Sequence, residues 1–127
     1  MVKTKITTGV QMKKVLIIDS CDFFSLTLKQ SLLPKLPDDY TVSIQNNFLT
    51  NEIKNYYFDC LVFGINNNTE EEFIFIRDIK KNYYHANILI VAQELTIEGI
   101  NRLKKLGISA VFLKPVNINK IVERIIK

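Results

Sequence analysis

The chain has 127 residues, a net charge of +4, 47% hydrophobic and 24% charged residues. That is enough for one domain burying roughly two-thirds of its unfolded surface, and too little for two. The balance excludes a disordered chain, and no apolar run approaches the roughly 20 residues of a membrane-spanning helix.

The first residues are basic and Thr-rich without an apolar h-region, so they are not read as a secretory signal, and a cytoplasmic location is expected. Residues 1–13 read as an N-terminal arm and 14–127 as the folded domain. Val15 to Ile18 is a continuous apolar run, the mark of a strand buried on both faces. Phe23 to Leu33 reads as a helix with Phe24, Leu28 and Leu32 on one face, closed by Pro34 and Pro37. Tyr40 to Gln45 alternates apolar and polar residues and suits an edge strand. Phe48 to Tyr57 reads as a short helix with Leu49, Ile53 and Tyr57 in register.

Cys60 to Phe63 is the next buried strand, ending at Gly64. Asn66 to Asn68 form a loop. Thr69 and Glu72 fit a capping box opening a helix to about Lys81. Ile88 to Ala92 is a further buried strand. Leu95 to Leu106 reads as a helix with Gly107 at the C′ position. Ala110 to Leu113 is a short strand, and Asn117 to Ile126 a final helix with Ile118, Ile121, Val122, Ile125 and Ile126 on one face. Alternating strands and helices imply a parallel sheet covered on both faces, and right-handed crossovers favour a doubly wound, five-stranded α/β sheet.

Cys21 and Cys60 fall at opposite ends of their strands, roughly 13 Å apart at about 3.3 Å per residue, too far for a disulfide. Two free, mostly buried thiols are expected. His85 stands far from both in sequence, so no metal site is expected. The basic clusters Lys13-Lys14, Lys80-Lys81 and Arg102 with Lys104-Lys105 sit at helix ends or the start of a strand, where cations suit the helix dipole. They read as solvated surface, and neither a nucleic-acid nor a membrane partner is expected.

In such sheets, chemistry collects at the C-terminal ends of the strands. The residues there are Asp19 and Ser20, Gly64, Ala92 and Gln93, and Lys114. This stretch-by-stretch pattern resembles the receiver domains of bacterial response regulators over residues 14 to about 126. The resemblance rests on Lys14 to Asp19 as first strand, Asp19 to Phe24 as acidic pair and helix start, Phe58 to Gly64 as third strand, and Gly107 to Pro115 as fifth strand with its Lys-Pro ending. It implies the flavodoxin-like strand order 2-1-3-4-5 and a cis bond before Pro115.

A phosphorylatable receiver needs an aspartate at the end of strand three, an acidic pair for Mg²⁺, a lysine, a Ser or Thr after strand four and an aromatic in strand five. Here Asp19 matches one acid and Ser20 replaces the other; Lys114 matches the lysine. Gly64 stands at the phosphoacceptor position, Ala92 at the hydroxyl and Val111 at the aromatic. Asp59 lies at the wrong end of the strand to compensate. The resemblance therefore implies a pseudo-receiver, not an enzyme, with no cofactor or metal, acting on a protein partner or a second copy of itself. The family's usual interface of fourth helix, fifth strand and fifth helix would here carry Ile97, Val111, Lys120, Glu123 and Arg124. Asp19 and Lys114 are expected to pair within the vacant pocket (Asp19, Ser20, Ala92, Val111, Lys114, Pro115), and Ser20 and Asp22 to cap the first helix. Alternative readings are the receiver fragment of a DNA-binding transcriptional regulator and a small nucleotide- or flavin-binding domain. The Asp19-Ser20-Cys21-Asp22 loop speaks against the latter, since it has no glycine and two acids where a phosphate cradle would sit.

Overall fold

The structure is a computed structural model, and it describes residues 12–46 and 57–127. Its strands are β1 (Lys13–Ile18), β2 (Tyr40–Gln45), β3 (Cys60–Ile65), β4 (Asn87–Ala92) and β5 (Val111–Leu113). Its described helices are α1 (Asp22–Leu32), α2 (Glu70–Asn82), α3 (Ile97–Lys105) and α4 (Ile118–Ile126). The sheet has the order β2-β1-β3-β4-β5, and every pairing is parallel. This is the doubly wound α/β sheet that the alternating pattern implied.

Successive strand residues point to opposite faces, so an unbroken apolar run feeds two cores at once. Leu16, Ile18, Leu61, Phe63, Ile65, Ile88 and Ile90 pack with Phe73, Ile76, Ile79 and Leu103 of α2 and α3. Val15, Ile17, Cys60, Val62, Leu89 and Val91 pack with Leu28, Leu32, Ile121 and Ile125 of α1 and α4.

Several local readings need correction. Lys13, read with the arm, belongs to β1 and pairs with Tyr40 of β2, while residues 1–11 lie outside the described residues. The helix expected at Phe48 to Tyr57 lies outside the described residues apart from Tyr57, which is exposed and bonds Asp59 through its hydroxyl at 2.8 Å. Pro34 does close α1, which ends at Leu32 with Leu33 as its C-cap, and a 3₁₀ turn, Leu33–Lys35, follows with the proline in its first turn. Neither Ser20 nor Asp22 caps α1; its N-cap is Cys21, without a side-chain cap bond. β3 runs through Gly64 to Ile65, and Ile126 of the last helix is exposed.

Other signals hold. Thr69 and Glu72 form both halves of the capping box. Gly107 has φ +79°, and the Gly107 and Ile108 N–H groups bond Lys104 and Leu103 carbonyls, a Schellman ending that a Cβ would strain. Lys80, Lys81, Arg102, Lys104 and Lys105 sit in last helical turns.

The two cysteines are free, but only Cys60 is buried; Cys21 is exposed, because it lies past the strand end on the loop into α1. Burial first, and the nearby Asp59 charge second, push the Cys60 thiol up to about 12. The folded state then keeps a proton that the unfolded chain sheds above about pH 9, so folding stability falls from there towards the folded value, by about 1.4 kcal/mol per pH unit. Cys60→Ala is expected to lose that part of the alkaline slope. Urea unfolding at about pH 8 and about pH 10 measures it, and equal alkaline losses in both proteins would refute the assignment.

Candidate functional site

The C-terminal ends of β1, β3 and β5 bring Asp19, Gly64 and Lys114 together. Asp19 follows the last buried residue of β1 and is itself almost wholly buried. A buried carboxylate needs partners, and three donors hold it. Lys114 Nζ donates to Oδ2 at 3.0 Å. Oδ1 accepts from the Cys21 N–H at 2.8 Å and from Asn66 Nδ2 at 2.9 Å. Position 64 abuts the same carboxylate: a Cβ built on Gly64 would overlap Asp19 Oδ2 and stand 2.5 Å from Asp19 Cγ. The Asp19 carboxylate thus occupies the space in which any side chain at position 64 would begin.

Lys114 reaches this point from the end of β5, where its N–H bonds the Ala92 carbonyl at 2.8 Å. The bond between Lys114 and Pro115 is cis, as the resemblance implied. Its ammonium touches three groups: Asp19, Asn66 Oδ1 at 2.9 Å, and the Phe24 ring, whose centroid is 4.0 Å away. Only 11% of the Lys114 side chain is exposed, against 0% for Asp19. In that setting a charge-assisted pair is strong, and ring and carboxamide replace lost water.

The Asn66 to Asn68 run reads as a polar loop over the vacant pocket, but its composition does not single out Asn66 within it. The Asn66 carboxamide bridges both charges, its oxygen accepting from Lys114 and its amide donating to Asp19 and to Ser20 Oγ at 3.0 Å. A carboxamide suits the place because it is donor at one end and acceptor at the other. Glu72 does more than its capping motif announces. Besides closing the capping box, its Oε2 accepts the Asn66 N–H at 2.8 Å and the Asn67 N–H at 3.4 Å, fixing the loop that carries Asn66. The position of Asn66, two residues past Gly64 at the functional edge, was the available signal.

The other named residues divide. Ser20 is exposed at the rim and accepts from Asn66; Ala92 is buried, and its carbonyl accepts the Lys114 N–H. Val111 does not join this group: it pairs with Ile90 and lines an apolar groove of about 630 Å³ between α3 and β5, with Leu95, Ile100, Leu103, Ile108 and Leu113. Pro115 is exposed on a separate groove beside Phe24. Ile97 is 79% exposed at the start of α3, while Lys120 and Glu123 are exposed on α4. Arg124 is half-buried, with its guanidinium 3.3 Å from Ser109 Oγ.

A divalent cation does not fit this donor set. It offers one carboxylate, and an ammonium already holds one of its oxygens while two N–H groups hold the other. Mg²⁺ requires several oxygens in near-octahedral array, with no cation competing for them. Among the described residues, no group of three His, Cys, Asp or Glu side chains is placed to hold a metal, and no helix is long and apolar enough to cross a membrane.

No protein-family model matches the sequence, and no curated protein sequence matches it significantly. Solved structures do match in three dimensions. A CheY-like response regulator receiver domain protein from Methanospirillum hungatei JF-1 superposes with a TM-score of 0.78 at 23% identity, covering 91% of each chain. The signal receiver domain of a DNA-binding response regulator from Colwellia psychrerythraea 34H gives a TM-score of 0.73 at 22% identity, over 87% of this chain and 93% of that one. A pilus assembly-related protein from Burkholderia pseudomallei K96243 gives 0.76 at only 12% identity, over 92% and 89%. Identities this low speak to architecture alone, and on that they agree: the chain has the five-stranded, doubly wound fold of the response-regulator receiver domains.

Proposed function

We propose that this chain is a pseudo-receiver, a signalling module that works through protein–protein contact without aspartyl phosphorylation. One observation carries the reading: the Asp19 carboxylate, held by Lys114, Asn66 and the Cys21 N–H, fills the space where a side chain at Gly64 would begin. Glycine supplies no nucleophile there, and the one carboxylate present is fully engaged and shielded from solvent. The lysine that would meet a phosphoryl group is neutralised internally instead. A closed network of this kind suits one conformation rather than a switch between two.

The contact face on this reading is the α3, β5 and α4 surface. Leu113 stands exposed in the groove that Val111 lines, Ile97 is exposed at the start of α3, and Lys120, Glu123 and Arg124 add polar groups from α4. Exposed apolar side chains ringed by polar ones mark a surface made for a protein partner.

Intact mass after incubation with acetyl phosphate and Mg²⁺ tests the reading. The mass is expected to be unchanged. A stable single phosphoryl addition would overturn the proposal, and mapping it would identify the side chain acting in place of the absent aspartate.

A further inference from the structure

We propose that Asn68 is a latch that fixes the first turn of α3 to the loop between β3 and α2, and thereby sets the shape of the apolar groove. The inference rests on the reading of that groove as part of the working face.

Asn68 has φ +56°, a left-handed backbone that asparagine tolerates better than most residues. That conformation turns its carboxamide across to the far loop. Nδ2 donates to the Glu94 carbonyl at 3.0 Å, and Oδ1 accepts from the Thr96 N–H at 3.3 Å. Both ends of one amide are therefore spent on backbone groups that flank a single residue, Leu95. Leu95 lines the groove with Ile100 and Leu103, so its place in the wall is held from both sides.

The helix start is shaped to the latch. Thr96 is the N-cap of α3, and its hydroxyl accepts the Gly99 N–H at 2.9 Å. Gly99 is buried, and a Cβ there would stand 3.0 Å from Asn68 Oδ1 and 3.1 Å from Phe73 Cζ. Glycine normally weakens a helix interior. Here it lets α3 approach Asn68 and α2 closely. The base of the latch is rigid as well, since Glu72 holds the Asn66 and Asn67 N–H groups and Asn66 is tied into the charged pocket.

Amide hydrogen exchange on the full chain tests this. Asn68→Gly removes the carboxamide and accepts the positive φ, so the loop itself is not strained. Exchange over residues 96–100 is expected to quicken about tenfold or more relative to β3 and α4, as loss of two neutral hydrogen bonds implies. Asn68→Asp keeps the acceptor for Thr96 and loses the donor to Glu94, so a smaller increase in the same segment is expected. It also carries the test should the glycine variant fail to fold. Unchanged exchange at 96–100, or a uniform rise that merely tracks the urea midpoint, would overturn the latch. The phosphorylation experiment stands apart: added mass would refute the pseudo-receiver without altering these rates, and unaltered rates would refute the latch without altering the mass.

Discussion

Lys114→Met is expected to destabilise the fold by about 3–5 kcal/mol, the usual cost of stranding one member of a buried ion pair. The Asp19 side chain has no exposure, so its charge cannot turn to water once the ammonium is gone. Asn66 cannot compensate, because only its amide end faces Asp19 and that bond is already made. The reverse change should cost less. In Asp19→Asn, Lys114 keeps Asn66 Oδ1 and the Phe24 ring, and its long stem lets the ammonium move towards solvent. The double variant Asp19→Asn with Lys114→Met removes both charges and should recover much of the loss. Urea midpoints of the four proteins form the cycle, and independent, additive costs would show that the pair is not coupled.

Gly64→Ala is expected to cost about 1–3 kcal/mol, the usual range of overpacking penalties. A methyl group there meets the Asp19 carboxylate itself, not the far end of a flexible chain, and that carboxylate is pinned by Lys114, Asn66 and the Cys21 N–H. The penalty should shrink in an Asp19→Ala background, where the overlapping carboxylate is gone and the contact left is with Asp19 Cβ, 3.1 Å from the new methyl. Thermal or urea unfolding of the single and double variants measures this. A cost for Gly64→Ala that is the same in both backgrounds would mean that the glycine is required for some reason other than the room it gives Asp19.

These two expectations join residues of different legibility. The layered α/β plan could be read from the chain because its causes are local. Unbroken apolar runs such as Val15 to Ile18 require cover on both faces, and Thr69, Glu72 and Gly107 announce helix ends by side-chain and backbone chemistry acting within a few residues. The meeting of Asp19 and Lys114 was also legible, since both follow strands whose C-terminal ends a parallel sheet must bring to one edge.

What the tertiary structure alone decided is how that edge is filled. Asn66 and Asn68 belong to one polar run whose composition says only that it turns. One bridges the two charges and the other reaches the start of α3, 26 and 28 residues further along the chain, because the backbone aims their amides in different directions. The reason for Gly64 is equally hidden, as it lies in the volume of a side chain 45 residues away. Cys21 and Tyr84 are exposed for a like reason, each standing on a loop beyond the end of a buried segment. Periodicity and capping reflect interactions within a turn or two of chain, so the sequence carries them directly. Pocket filling depends on where distant loops converge, which is fixed only when the whole sheet has assembled.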